Sequence, residues 1–160
     1  MNRRSAFAVL LLAIAIAAFA TVKTEKTDLK EVKDDKYKPG HVWSYKTRPG
    51  EETSTLTILR VEEAPKGKRI VHIRVDGIRL KNCTGGPEPD TVEHMPFAKE
   101  MLDASVIKKE RTVAIPHFDE GYSQWRKGWD EGKAGFYTIT VSEAIEVMQK
   151  TFDSGLRCSH

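Results

Sequence analysis

From residue 6 to residue 20 the chain is an unbroken run of Ala, Val, Leu, Ile and Phe, and no later stretch is apolar over such a length. Residues 21–38 are dominated by Lys, Glu, Asp and Thr, the composition of a charged flexible tether. A single domain is expected over 39–160. Residues 42–47 read as a strand with Trp43 and Tyr45 on one face. Arg48-Pro49-Gly50-Glu51 follows as a turn, with Pro presetting φ, Gly accepting positive φ, and Arg48 placed to pair with Glu51. Residues 54–62 are rich in β-branched and apolar side chains and predict a second strand, and residues 63–69 predict a loop around Pro65 and Gly67.

Alternation over 70–75 and 78–82, separated by Asp76-Gly77, predicts a two-residue β-hairpin. Its register sets Val75 against Ile78, Arg74 against Arg79, Ile73 against Leu80 and His72 against Lys81. Val71, Ile73, Val75, Ile78 and Leu80 then face the core, and His72, Arg74, Arg79 and Lys81 face outward. Residues 83–93 form a turn-rich loop, and Pro96 is suited to the first turn of a short helix ending near Ser105. Residues 106–115 are read as a strand. Phe118, Tyr122, Trp125 and Trp129 recur at helical spacing over 118–133, one apolar stripe of an amphipathic helix that Gly121, Gly128 and Gly132 weaken. Residues 135–139 suggest a last strand. Thr140 with Glu143 forms a capping box opening a final helix whose buried side is Val141, Ala144, Ile145, Met148 and Phe152. The order predicts an α+β fold: an antiparallel sheet of about five strands with two to three helices packed on one face.

The opening residues change where this domain is expected to work. Met1-Asn2-Arg3-Arg4 is basic, the apolar run follows, and Ala18-Phe19-Ala20 supplies the small-x-small pattern of signal-peptidase cleavage. The run falls short of the roughly 20 apolar residues that span a bilayer. Residues 1–20 therefore read as a signal peptide, with a retained N-terminal anchor as the alternative. The first cysteine is Cys83, so no lipid-bearing cysteine stands at the cleavage point. The expected location is periplasmic or extracellular, with no membrane span after cleavage.

Cleavage removes Arg3 and Arg4 and takes the formal net charge from +3 to +1. A nearly neutral chain with interspersed signs argues against nucleic acid as a partner. Cys83 and Cys158 either pair, closing a long loop in an oxidising compartment, or remain two thiols.

Chemistry-bearing positions are few. His72, Arg74, Arg79 and Lys81 would offer a basic face to a protein or anionic ligand of the cell envelope, or simply a solvated sheet face. His94 follows Glu88, Asp90 and Glu93, and His117 precedes Asp119 and Glu120. Either group could supply general acid–base chemistry, yet neither has the spacing of a metal site. No phosphate-binding loop or nucleophile elbow is present, and no cofactor is expected.

The stretch from Gly40-His41-Val42-Trp43 through Thr47-Arg48-Pro49-Gly50-Glu51-Glu52, with Val71-His72-Ile73, His94-Met95-Pro96-Phe97 and Gly121-Tyr122 before Trp125, resembles a group of uncharacterised small exported bacterial proteins. The resemblance covers about residues 39–152. It implies export and a single domain, and it carries no activity. The expected function is a non-enzymatic extracytoplasmic binding or interaction module. The alternatives are a small hydrolase or metal-dependent enzyme using His94 or His117 with nearby carboxylates, and an envelope-maintenance protein.

Overall fold

The computed structural model describes residues 28–156. The expected signal segment, the tether through residue 27, and residues 157–160 with Cys158 lie outside it. The elements are β1 (Lys30–Glu31), β2 (His41–Tyr45), β3 (Thr55–Ala64), β4 (Lys68–Asp76), β5 (Thr91–Ala98), α1 (Lys99–Ser105), β6 (Val106–Thr112), α2 (Asp119–Asp130) and α3 (Val141–Leu156). The strands form one antiparallel six-stranded sheet in the order β5-β4-β3-β2-β6, with β1 pairing the far end of β3. This is the α+β architecture the hydrophobic pattern predicts.

One face of the sheet carries the main core. Leu56, Ile58 and Val61 of β3 and Val71, Ile73 and Val75 of β4 pack with Leu102 of α1 and Val141, Ala144 and Ile145 of α3. Helix α3 opens as its capping box requires: the Thr140 amide donates to Glu143 Oε2 at 2.8 Å, and the Glu143 amide donates back to Thr140 Oγ1 at 3.4 Å. Helix α2 covers the opposite face, where Trp125 and Trp129 pack with Leu29, Ala64 and Ile70.

A register shift between Ile58 and Arg60 decides what lies under α2. Strict alternation would send Arg60 and Glu62 to the same side as Leu56 and Ile58. The extra residue reverses the phase, so Val61 joins the core while Arg60, Glu62 and Ala64 turn toward α2.

Four expectations are corrected. Residues 76–82 are not a hairpin. Asp76 is paired with Thr55 on one side and Thr91 on the other, so both edges of β4 are taken by β3 and β5. The Asp76-Gly77 turn does form, with Gly77 at φ +77°, but it directs the chain out of the sheet. Ile78 and Leu80 still reach the core, held by backbone bonds to Asp90 and Pro89. A Cβ on Gly77 would lie 3.2 Å from Ser54 Cα. Gly77→Ala is therefore expected to destabilise by roughly 1–2 kcal/mol in urea unfolding, combining positive φ with this contact.

Pro96 sits inside β5 rather than at the start of a helix. β5 ends the strand order on its side, and an edge strand tolerates a residue with no N–H. Residues 135–139 supply one bridge, Tyr137 to Phe97, instead of a strand.

Residues 28–38 are not a free tether. β1 pairs with β3, and Leu29 and Tyr37 are buried. Asp103 of α1 accepts from the Tyr37 hydroxyl at 2.7 Å and from Lys36 and Lys99 Nζ at 2.6 and 2.9 Å. Burial alone would raise the Asp103 carboxyl, but these donors outweigh it and hold its pKa at about 2.

Candidate functional site

Glu62, His72 and His94 come from the neighbouring strands β3, β4 and β5, and their side chains meet beneath α2. His72 Nε2 lies 3.0 Å from Glu62 Oε2, and His72 Nδ1 lies 2.9 Å from His94 Nε2. Tyr122 of α2 donates its hydroxyl to the other Glu62 oxygen at 2.7 Å. His72 is 0% exposed and Glu62 3%. Burial pushes the Glu62 pKa up, yet hydrogen bonds from His72 and Tyr122 win and keep it below the usual carboxylate range.

These contacts fix the protons. An ionised Glu62 only accepts, so His72 Nε2 carries the hydrogen. Burial lowers the His72 pKa despite Glu62, so its Nδ1 is a bare acceptor and takes a hydrogen from His94 Nε2. Burial, followed by the neighbouring His72, lowers the His94 pKa to about 4, leaving a neutral ring whose Nδ1 is the basic nitrogen. The arrangement is a chain of hydrogen bonds running from a buried carboxylate to a half-buried imidazole.

Aromatic rings enclose it. The two imidazoles stack at 5.1 Å, and Trp125 stands edge-on to His72 at 4.7 Å. Tyr122 meets His72 at 5.4 Å and is itself covered by the Arg60 guanidinium at 4.5 Å. Gly121 allows α2 to approach this closely, since a Cβ there would fall 2.9 Å from His94 Cβ. The glycine that weakens the helix thus seats it on the histidine.

Acid should undo part of this packing. An unfolded histidine takes up a proton near pH 6.5, whereas folded His94 resists until about 4. Stability is therefore expected to be full above pH 6.5 and to fall between pH 6.5 and 4. Urea midpoints measured across that range should decline in the parent and decline less in His94→Gln.

Beyond Trp125 lies an open apolar cleft of about 370 Å³, lined by Pro96, Trp125, Ala134, Gly135, Phe136 and Tyr137. The Trp125 indole N–H is fixed by Gly135 O at 2.7 Å, and Tyr137 stacks on Phe97 at 5.0 Å.

The predicted basic face is dispersed, because β4 pairs with β5 rather than with 78–82. His72 is buried in the chain just described. Arg74 pairs with Asp76 at 2.8 Å. Arg79 and Lys81 instead line a separate polar cavity of about 420 Å³ with Arg48, Glu51, Glu146 and Gln149. There Arg48 and Glu51 pair as the turn predicts, and Glu51 also accepts the Arg79 amide at 2.7 Å.

Of the predicted catalytic candidates, His94 alone joins the chain beneath α2. His117 lies 3.3 Å from Asp119 at the start of α2, both side chains largely exposed. Among the described residues no cluster of three or more His, Cys, Asp or Glu is arranged to hold a metal. No helix among them is long and apolar enough to cross a membrane. The pairing of Cys83 with Cys158, one of the two alternatives, falls on Cys158, which lies outside the described residues. Sequence reasoning singled out neither Glu62 nor Tyr122 as site residues. The available signal was His72 between Val71 and Ile73 in a strand, which is a position for a covered histidine.

Comparison with known proteins finds no matching family model, no matching curated protein and no matching solved structure.

Proposed function

We propose that the chain is an exported, non-enzymatic binding protein whose ligand presents an uncharged ring to the cleft beside Trp125. The observation that carries this reading is the cleft itself. Its walls are three aromatic rings with Pro96, Ala134 and Gly135, it opens to solvent, and the Trp125 indole N–H and the Tyr137 amide are already engaged internally, by Gly135 O and Pro96 O. An apolar, ring-lined concavity favours stacking and dispersion over charge recognition. The neutral histidine pair behind Trp125 adds no charge that such a ligand would have to desolvate.

Tryptophan fluorescence of the domain, titrated separately with indole and with the neutral sugar maltotriose, tests the proposal. Saturable change with one of them is expected, weakened about tenfold or more in Phe136→Ala, as loss of a buried aromatic contact implies. A response to neither probe, or one unchanged in that variant, removes the cleft as the site.

The Glu62–His72–His94 chain favours a second reading, in which His94 Nδ1 acts as a general base. Hydrolysis of p-nitrophenyl acetate would then depend on His94 and fall away below about pH 4. A rate unaffected by His94→Ala would dispose of it.

A further inference from the structure

The two ends of the sheet are treated differently. At the β5 end the chain covers its own edge: Tyr137 donates its amide to Pro96 O at 2.8 Å and accepts the Ala98 amide at 2.9 Å. Met95, Phe97 and Ala98 of β5 are buried. At the other end β6 pairs, among the described residues, with β2 alone. Every residue from 107 to 115 is exposed, so among the described residues this margin has neither a cover on its faces nor a strand beyond it.

That margin also carries apolar side chains in water: Ile107 is 64% exposed, Val113 37% and Ile115 50%. Between Ile107 and Val113 runs a charged stretch, Lys108-Lys109-Glu110-Arg111, and the pairing with β2 skips Ile107 and Glu110. Glu110 is engaged by Lys108 at 3.4 Å, and Lys109 and Arg111 are exposed beside it. Lysine on a strand edge works against pairing with another copy of the same strand, because like charges meet. It does not work against a strand of opposite charge.

We propose that the outer edge of β6 is a docking edge, on which an extended acidic segment of a partner protein adds as a further antiparallel or parallel strand. Backbone pairing to the free β6 edge supplies affinity. Ile107, Val113 and Ile115 cover the partner's apolar residues, and Lys109 and Arg111 select Asp or Glu between them.

The test uses fluorescein-labelled peptides and the domain as it stands. An acidic probe, acetyl-Glu-Val-Asp-Val-Glu-Ile-amide, is compared by anisotropy with its lysine counterpart and with the acidic probe carrying proline in place of the central Val. Saturable binding of the acidic probe is expected, with both comparison peptides weaker by about tenfold or more, since one lacks complementary charge and the other a ladder hydrogen bond. Combined Lys109→Glu and Arg111→Glu should abolish the binding while leaving thermal unfolding unchanged. Three results would overturn the proposal. The acidic probe does not bind. The proline or lysine peptide binds as well as the acidic one. Or sedimentation shows a concentration-dependent dimer that the double variant abolishes, which would assign the edge to a second copy.

Discussion

Glu51→Ala is expected to lower the unfolding free energy by about 3–5 kcal/mol, the range seen when one partner of a buried ion pair is removed. Glu51 is 4% exposed and performs two tasks. Its carboxylate takes the Arg48 guanidinium in a two-pronged contact and also accepts the Arg79 amide at 2.7 Å. Arg48 in turn donates to Arg79 O at 2.9 Å. The turn at 48–51 therefore pins the segment that leaves the sheet after Gly77. Without Glu51, the largely buried Arg48 loses its closer carboxylate and keeps the longer Glu146 contact at 3.4 Å, and the Arg79 amide loses its acceptor. Urea unfolding of Glu51→Ala, Arg48→Ala and the double variant gives the coupling directly. The double variant should be less unstable than the two single losses added together. Simple additivity would show that the pair does not act as a unit.

Glu62→Ala should cost about 3 kcal/mol. The change strands the buried His72 Nε2 hydrogen and the half-buried Tyr122 hydroxyl, each a donor whose lost acceptor is worth about 1–3 kcal/mol when buried. It also removes the one carboxylate beneath α2 to which Arg126 lies within 3.9 Å. Because Tyr122 ties α2 to the sheet through Glu62, the helix should loosen before the main core does. Hydrogen exchange would then show faster exchange in α2 than in α3, alongside the drop in urea midpoint. A variant within about 1 kcal/mol of the parent, with α2 protection intact, would mean the chain contributes little to holding the helix.

Local signals recovered much of this fold. The Arg48–Glu51 turn, the Thr140–Glu143 cap and the buried side of α3 each depend on residues a few positions apart, so spacing alone reveals them. Asp76-Gly77 shows the limit of that reasoning. Its turn chemistry is present, with Gly77 at positive φ, but a turn does not say which edge the chain returns to. Here both edges of β4 were occupied, one by β3 across the short turn at 65–67 and the other by β5, which begins only at Thr91. The α2 stripe was legible as amphipathic, but its destination was not. Amphipathicity says that a face is covered, and only the assembled sheet says by what. Glu62, His72 and His94 are likewise joined by strand pairing and by no spacing rule, which is why His94 was visible as a candidate and its chain of partners was not.

The added residue in β3 has a consequence for how this chain tolerates editing. Removing Leu59 would take out the unpaired residue alone, because Ile58 already pairs with Ile73 and Arg60 with His72. Val61 would keep its place in the core, and Arg60 and Glu62 would keep theirs beneath α2. The cost would be the packing of the buried Leu59 side chain. Loss of one residue from a strand without such a bulge would instead exchange the faces of everything after it. The bulge thus gives this strand one residue of slack in its length.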